Sequence, residues 1–197
     1  MIAMPMFAPR MVILASWTIF WTSWLVMAFG VKRNRLEQPA KERRRYTLPL
    51  LLGLILMSNL VRYVPPLAFL AQRIAGPDLM LAWTGAGASV LGLAIALWAR
   101  FSLGRNWSGV VTLKEDHELV TRGPYAAIRH PIYTALILLF LALALFINTP
   151  VAYLGALCIV WSCWVKLRQE EVLMLQQFPD SYPAYMAQTK RLVPLLV

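Results

Sequence analysis

Two short polar segments in the carboxyl-terminal half of the chain carry side chains suited to ion pairing and acid–base chemistry. Arg129 and His130 directly precede Pro131 at the start of one apolar run, and Glu170 and Glu171 follow a second apolar run. A guanidinium, an imidazole and the free amides of a helix start can together bind a carboxylate, because the helix dipole favours an anion there. A proline in the first turn removes no helical hydrogen bond. This set suits a cationic or zwitterionic cofactor.

Aromatic and acidic side chains close to these segments extend the same interpretation. Glu170 suits a sugar hydroxyl or an amine, and the rings of Tyr125 and Tyr133 suit a purine or a sulfonium. Adjacent residues on a helix point about 100° apart, so Glu170 and Glu171 are not expected to share a proton. The sequence therefore favours recognition of a charged ligand over a two-carboxylate mechanism.

Metal chemistry and covalent nucleophile chemistry are not predicted. His117 and His130 stand in no HExxH or CxxC pattern, and neither has a serine, threonine or cysteine beside it in a nucleophile pattern. Cys158 and Cys163 lie five positions apart inside an apolar run, where neither a disulfide nor a metal site is expected. We predict no metal ligands and interpret both cysteines as core thiols.

The elements that position these residues are membrane helices. Of the 197 residues 59% are hydrophobic and 14% are charged, and the mean hydropathy is +0.60, outside the usual range of soluble domains. We predict an all-α integral membrane protein with five transmembrane helices. The predicted spans are 11–29, 47–61, 79–99, 132–147 and 151–167.

The last two predicted spans form a tight helical hairpin. Only the tripeptide NTP separates them, which is too short for any connection except an antiparallel one. The start of the fourth helix and the end of the fifth must then lie side by side. This geometry predicts that Arg129 and His130 come close to Glu170, although the two segments are far apart in sequence.

The basic residues are concentrated in alternate loops. Segments 30–46, 100–131 and 166–197 carry seven, five and four Lys or Arg residues, whereas the opposite side holds three. The positive-inside rule then predicts an external amino terminus and a cytoplasmic carboxyl terminus, with cytoplasmic cofactor-binding segments. The net charge of +10 is explained by this topology, so we predict membrane lipids and no nucleic acid as partners. No oligomeric state is predicted.

The chain divides functionally near residue 99. Residues 1–99 hold three predicted spans and the first basic loop, and residues 100–197 hold the candidate chemistry. The second region includes the hairpin 132–167 and the carboxyl-terminal tail. We expect the catalytic function to reside in this second region.

The motifs of the second region resemble those of a known family. The segments LGRNW, HELVTRGPYAAIRHPIYT, EEVLMLQQFPDSYPAY and a late RLVP lie between residues 98 and 194. In combination they resemble the isoprenylcysteine carboxyl methyltransferase family and its phospholipid N-methyltransferase relatives. The resemblance implies an integral-membrane methyltransferase that uses S-adenosylmethionine without a soluble Rossmann fold.

The resemblance also implies site residues. Arg129 is added to them from the charge argument above, Lys166 stands where the family has a basic residue implicated with the substrate, and Arg100 is a second candidate for that role. Lysine in place of arginine gives up bidentate recognition of a carboxylate. The cofactor contacts implied by motif match are His117, Glu118, Leu119, Val120, Tyr125, His130, Pro131, Ile132, Tyr133 and Glu170.

The expected reaction is methyl transfer to a lipophilic acceptor that enters from the bilayer. A carboxylate of an isoprenylcysteine-like substrate needs an orienting cation, Lys166 or Arg100, and a dry pocket, but no base. A phospholipid amine would need a base, for which Glu171 is the candidate. A small thiol is a further possible acceptor. A lipid-binding scaffold, whose charged side chains only reach the headgroups, is the non-enzymatic alternative.

Overall fold

The computed structural model describes residues 6–29, 31–32, 34–58, 60–114 and 118–194. These residues form six α-helices, a two-stranded antiparallel ribbon and four short 3₁₀ helices. The helices are α1 (Phe7–Ala28), α2 (Ala40–Met57), α3 (Leu79–Leu103), α4 (Pro131–Ile147), α5 (Pro150–Gln177) and α6 (Ser181–Gln188). The strands are β1 (Asn34–Glu37) and β2 (Thr112–Lys114), and the 3₁₀ helices are Leu60–Tyr63, Pro65–Ala71, Gly104–Asn106 and Gly123–Ala126. The ribbon adds a small sheet to the predicted helices.

The described helices include three that are long and apolar enough to cross a membrane: α1, α3 with its following turn, and α5. The apolar α4 has 17 residues, and α2 has 18 but begins with a basic segment. The chain is therefore an integral membrane protein. The helix α2 begins at Ala40 rather than 47 and α5 ends at Gln177 rather than 167, because Lys, Arg, Glu and Gln lower hydropathy yet are good helix formers.

Small residues let α3 approach α4 closely. A Cβ atom at Gly85 would lie 2.8 Å from the carbonyl oxygen of Ala142, and one at Gly92 would lie 3.1 Å from that of Ala135. Small residues permit such backbone approach in lipid, where packing rather than water exclusion holds helices together. The segment GAGASVLG, residues 85–92, is therefore a helix-packing surface.

Helix α2 packs against α5 in the same way. A Cβ atom at Gly53 would lie 2.6 Å from Ile159 Cγ1 and 2.7 Å from the carbonyl oxygen of Gly155. Helix α1 packs against α3, and the hydroxyl oxygens of Ser16 and Ser89 lie 3.2 Å apart across that contact. The packing order is thus α1, α3, α4, α5, α2. The first two helices of the chain stand at opposite ends of this order.

The turn between α4 and α5 has the short antiparallel geometry that the sequence predicts. Asn148 adopts a left-handed conformation with φ 52° and donates its backbone N–H to the carbonyl of Ala144. Thr149 caps α5, since its Oγ1 accepts a hydrogen bond from Ala152 N at 3.2 Å. A proline at the first helical position continues the chain into α5. The turn therefore places the start of α4 beside the last third of α5.

The ribbon joins the first connector of the chain to the segment after α3. Strands β1 and β2 pair antiparallel, with Glu37 opposite Thr112. Just before β2, Val111 packs in a buried cluster with Tyr46 of α2 and Leu173 of α5. The segment 107–112 is consequently held across the ends of two helices that border the candidate site.

Candidate active site

The polar core of the site lies where α4 begins beside α5. Tyr133, in the first turn of α4, donates its phenolic hydrogen to Glu170 Oε1 at 2.5 Å. His130 precedes the same turn, and its Nδ1 lies 3.8 Å from Glu170 Oε2. The side chain of Glu170 remains 27% exposed, so part of the carboxylate is available to a ligand. The predicted meeting of these two segments takes place.

The neighbouring carboxylate has a different environment. Glu171 is buried, with its Oε1 2.9 Å from Arg129 Nε and its Oε2 2.9 Å from Arg191 Nε. His130 Nε2 lies 3.4 Å from Glu171 Oε1 but has no hydrogen-bond partner among the described residues. The two adjacent glutamates thus accept hydrogen bonds from different donors, as their helical spacing predicts, and the His130 ring lies near both. Glu171 is committed to two guanidinium groups.

Arg129 is anchored mainly by protein acceptors. Besides Glu171, its Nη1 donates to the carbonyl oxygens of Met186, at 3.2 Å, and of Thr189. Its backbone N–H donates to the carbonyl of Lys190 at 2.7 Å. Arg129 borders the cavity described below, yet most of its donors already serve the fold.

A cavity of about 470 Å³ connects the polar core to the membrane helices. Its polar end contains Glu170 and His130, and its apolar end lies between α1 and α2, with Phe140 of α4 between them. The apolar lining from α1 and α2 consists of Trp17, Phe20, Trp21, Trp24, Leu50 and Leu54. The volume and the two-ended polarity suit a ligand pair with one polar and one lipophilic member.

The predicted site residues can be sorted by their position relative to this cavity. Pro131 is buried in the first turn of α4 rather than in the lining, and His117 lies outside the described residues. Arg100 and Glu171 are likewise not among the described lining residues. The predicted residues that line the cavity are Glu118, Leu119, Val120, Tyr125, Arg129, His130, Ile132, Tyr133, Lys166 and Glu170.

Lys166 places a cation beside the polar end. Its Nζ donates to the carbonyl oxygen of Gly109 at 2.7 Å and lies 5.6 Å from the ring centroid of Tyr133 and 5.4 Å from that of Tyr46. An ammonium has three donors, so this bond to the segment after α3 leaves capacity for a ligand. Lys166 therefore lines the cavity beside Tyr133, and its role as an acceptor-orienting cation stays a prediction.

Arg100 has a different place. Its side chain is buried, and its guanidinium donates to the carbonyl oxygens of Gly104 at 2.7 Å and of Met27 at 2.5 Å. The same group stacks 4.6 Å over the ring of Trp107, which in turn packs edge-on against Trp24. Arg100 therefore joins the ends of α1 and α3 and supports an aromatic wall of the cavity. The structure does not bring it to the polar end.

Three buried tyrosines complete the wall on the side of α6. Tyr185 donates its hydroxyl hydrogen to the carbonyl of Tyr125 at 2.7 Å, and both line the cavity together with Tyr182. Burial raises the pKa of Tyr185 to about 12 and raises the pKa values of Tyr125 and Tyr182 further above the usual phenol value. All three are neutral hydrogen-bonding groups at physiological pH.

Sequence reasoning missed the contribution of α1 and α2. Trp17, Trp21 and Trp24 recur at helical spacing on α1, and all three line the cavity. Residues at i, i+4 and i+7 share one helix face. This spacing was the available signal for an aromatic ligand wall.

Comparison with known proteins agrees with this architecture. The sequence model of the isoprenylcysteine carboxyl methyltransferase family matches residues 85–176. Protein-S-isoprenylcysteine O-methyltransferase B of Arabidopsis thaliana is 24% identical over 144 residues, covering 70% of this chain and 73% of that protein. Protein-S-isoprenylcysteine O-methyltransferase of Dictyostelium discoideum is 30% identical over 106 residues, covering 52% of this chain and 45% of that protein. The chain thus spans less than half the length of the Dictyostelium relative.

A solved structure shares the fold over the whole chain. The structure of the eukaryotic intramembrane Ras methyltransferase, isoprenylcysteine carboxyl methyltransferase, superposes with a TM-score of 0.60 at 19% identity. The match covers 100% of this chain and 70% of that one. The resemblance predicted from the motifs is confirmed: the segment 85–176, which runs from α3 to α5, matches the sequence model of the isoprenylcysteine carboxyl methyltransferase family, and the chain shares the fold of the solved methyltransferase.

Proposed function

We propose that this chain is an S-adenosylmethionine-dependent membrane methyltransferase that esterifies the carboxylate of an isoprenylcysteine-like lipid. The observation that carries the proposal is the cavity with Glu170 and His130 at one end and the aromatic face of α1 at the other. Such a cavity can hold a polar methyl donor and a lipophilic acceptor in contact. The similar proteins of Arabidopsis and Dictyostelium are named as isoprenylcysteine O-methyltransferases, which supports this acceptor class.

The residues at the polar end fit S-adenosylmethionine. When bound, this group supplies a methyl on a positively charged sulfur, so that a new C–O bond to the acceptor forms as the C–S bond breaks. Glu170 would accept from its hydroxyl or amino groups, and the ring of Tyr133 would face a cation. His130 lines the cavity, and its Nδ1 edge, which lies 3.8 Å from Glu170 Oε2, would meet the ligand.

Apolar side chains beside these groups would surround a purine. Leu119, Val120 and Ile132 line the cavity, as do Glu118 and Tyr125. His117, outside the described residues, and Pro131, which presets the first turn of α4, complete the proposed cofactor set. Arg129 belongs to the proposed cofactor set indirectly, because it binds the Glu171 carboxylate and the backbone carbonyl of Thr189.

The acceptor carboxylate would be oriented by Lys166. One of its N–H donors is used by Gly109, and the remaining donors can bind a carboxylate oxygen without removing its charge. Because a carboxylate already carries its lone pairs, no proton has to be removed before transfer. Desolvation by the surrounding aromatic rings keeps the oxygen reactive.

Phospholipid N-methylation is less well supported by the geometry. An amine acceptor needs a base to hold it neutral, and Glu171 was the candidate for this role. Its two oxygens already accept hydrogen bonds from Arg129 and Arg191, and its side chain is 5% exposed. An oxygen acceptor avoids this requirement altogether.

We also propose the membrane arrangement. The helices α2 and α4 join the three long apolar helices as shorter spans, with the amino terminus outside and the polar end of the cavity cytoplasmic, because the basic residues concentrate on that side. The acceptor would enter from the bilayer between α1 and α2. Trp21 and Leu54 line the cavity there and are still 61% and 41% exposed.

Calorimetric titration of S-adenosylmethionine into the detergent-purified chain tests the cofactor site. Glu170→Gln removes the carboxylate charge, so we expect affinity to fall about 10-fold to 100-fold, the range for a charged hydrogen bond. His130→Ala should also weaken binding. Glu42→Gln is a matched control, since Glu42 is a partly exposed residue of α2 paired with Arg45. Undiminished binding in both site variants would refute the site.

Transfer of a labelled methyl group then separates the acceptors. Wild-type protein should label farnesyl-cysteine analogues in preference to phosphatidylethanolamine and to small thiols. Preferential labelling of phosphatidylethanolamine would favour the N-methyltransferase alternative. Binding of neither S-adenosylmethionine nor its analogues would leave the lipid-binding scaffold as the function of the fold.

A further inference from the structure

The carboxyl-terminal segment 189–192, here called the C-terminal strap, lies beyond the family match at 85–176 yet touches the site directly. Its backbone pairs with the residues that lead into α4. Arg129 N donates to Lys190 O at 2.7 Å, and His130 N donates to Arg191 O at 3.0 Å. A further hydrogen bond runs from Thr134 Oγ1 to the carbonyl of Leu192 at 2.6 Å. The strap therefore fixes the backbone of both residues that start the RHPIY segment.

The side chain of Arg191 reaches past this backbone pairing to the buried carboxylate. Its Nε lies 2.9 Å from Glu171 Oε2, and its guanidinium lies 5.5 Å from the ring centroid of Trp164. The Arg191 side chain is 33% exposed, whereas the Glu171 side chain is 5% exposed. Arg191 thus closes the outer side of a carboxylate that would otherwise face the surface.

Three cationic or ionisable groups surround Glu171 in the described structure. Arg129 occupies Oε1 and Arg191 occupies Oε2, while His130 Nε2 stands 3.4 Å from Oε1 without hydrogen-bond geometry. A buried carboxylate oxygen left without a donor is costly. If Arg191 were removed, the Glu171 carboxylate could take the imidazole of His130 as a replacement donor, since Nε2 already stands 3.4 Å from Oε1. The Nδ1 edge near Glu170 would then shift with the ring.

We infer that Arg191 is a positioning residue of the cofactor site, which holds Glu171 from outside so that His130 stays directed to the ligand. This inference rests on the proposed function, because it assigns His130 to S-adenosylmethionine. It extends the machinery of the reaction from the segment 85–176 to the strap, whose Arg191 begins the RLVP motif. Arg191 itself is not among the described residues that line the cavity.

The experiment compares charge-neutral variants of adjacent strap residues. Arg191→Gln should weaken S-adenosylmethionine binding about tenfold while shifting Tm by no more than about 3 °C, because its effect passes through one contacting pair. Lys190→Gln is the matched control, since that side chain is exposed and loses the same charge. Arg191→Lys should recover affinity to within about threefold of wild type, since it restores a donor to Glu171.

A double variant tests whether Arg191 acts through Glu171. In Glu171→Gln protein, the added Arg191→Gln change should produce no further loss of affinity, since the shared carboxylate is already gone. Additive losses would overturn the inference. Wild-type affinity in Arg191→Gln would also overturn the inference. A third contrary result would be a loss of affinity that parallels a loss of Tm in Arg191→Gln and that Arg191→Lys does not restore.

A variant of an α4 residue that binds the strap covers the case in which Arg191→Gln fails to fold. Thr134→Val removes the hydrogen bond to Leu192 at nearly constant volume and should weaken S-adenosylmethionine binding about threefold. Unchanged affinity in folded Thr134→Val would overturn the inference. If wild-type protein does not bind S-adenosylmethionine, the proposed function is overturned, and with it this role of Arg191. If wild-type protein binds normally and the variants are unaffected, only the inference about the strap is overturned.

Discussion

The two ends of the cavity are held together by different kinds of contact. At the polar end, Arg129, Glu171 and Arg191 are joined by charged hydrogen bonds, and Tyr133 donates to Glu170. At the apolar end, α1 and α2 contribute aromatic and leucine side chains and pack on α3 and α5 respectively. The first arrangement is directional, since small displacements break it, and the second depends mainly on volume.

This contrast matches the two tasks of the proposed reaction. A methyl donor and a carboxylate must meet in one geometry, which rigid and directional contacts provide. A flexible hydrocarbon chain needs an apolar surface of sufficient size, and Trp21 and Leu54 offer one that opens toward lipid. Changes at the polar end should therefore alter cofactor binding, and changes at the apolar end should alter acceptor binding.

The largest effect is expected from a substitution at the contact between α2 and α5, which should alter the apolar end of the cavity and leave the polar end intact. Gly53→Ala places a methyl 2.6 Å from Ile159 Cγ1 and 2.7 Å from the carbonyl oxygen of Gly155, so the helices must separate. We expect a loss of about 1–3 kcal/mol in the free energy of unfolding and the loss of most methyl transfer. Affinity for S-adenosylmethionine, measured below Tm, should stay within about threefold of wild type, because changes at distant sites without shared partners act nearly independently.

The control for this change is another glycine in a membrane helix. A Cβ atom at Gly87 of α3 meets no atom within 4 Å, so Gly87→Ala should leave both stability and turnover near wild type. Thermal unfolding in detergent and labelled methyl transfer measure the two quantities. A parallel fall of cofactor affinity in Gly53→Ala would show that the two ends of the cavity are not separable.

A smaller effect is expected at the rim between α1 and α2. Trp21→Ala removes a large ring from the apolar end. It should raise KM for a farnesyl-cysteine analogue about tenfold, because the lipid chain loses part of its contact with an aromatic surface. Trp161→Ala is the matched control, because both tryptophans are 61% exposed but only Trp21 is among the described lining residues. Affinity for S-adenosylmethionine should be unchanged in both. Equal KM values in the two variants would contradict the proposed route between α1 and α2.

The meeting of the two polar segments could be predicted from the sequence because it depends on local rules. A three-residue turn allows only an antiparallel hairpin, which sets His130 beside Glu170, and their side chains lie 3.8 Å apart. Hydropathy located the apolar part of each helix but not the ends of α2 and α5. Charged helix formers carry both helices beyond the apolar windows.

The roles of Glu171 and Arg100 could not be predicted in this way. Helical spacing says that Glu171 points away from Glu170, but not that Arg191 folds back onto it from 20 residues later. Arg100 stands at the expected helix end, yet its guanidinium is used by Met27, 73 residues earlier. Both assignments depend on distant chain segments that meet only in the packed structure.

The smallest predicted effect probes the packing of α6 on the polar end through pH. Burial raises the pKa of Tyr185 to about 12, while an unfolded tyrosine titrates near 10, so the stabilisation present below about pH 10 is lost as pH rises toward 12. Tyr185→Phe loses the hydrogen bond to Tyr125, about 1 kcal/mol near pH 8, but has no phenol to ionise. Its deficit in unfolding free energy, measured by denaturant titration in detergent, should therefore shrink between about pH 10 and 12. A constant deficit across that range would mean that the Tyr185 phenol is not buried beside Tyr125, and that the polar end is less rigid than its hydrogen bonds indicate.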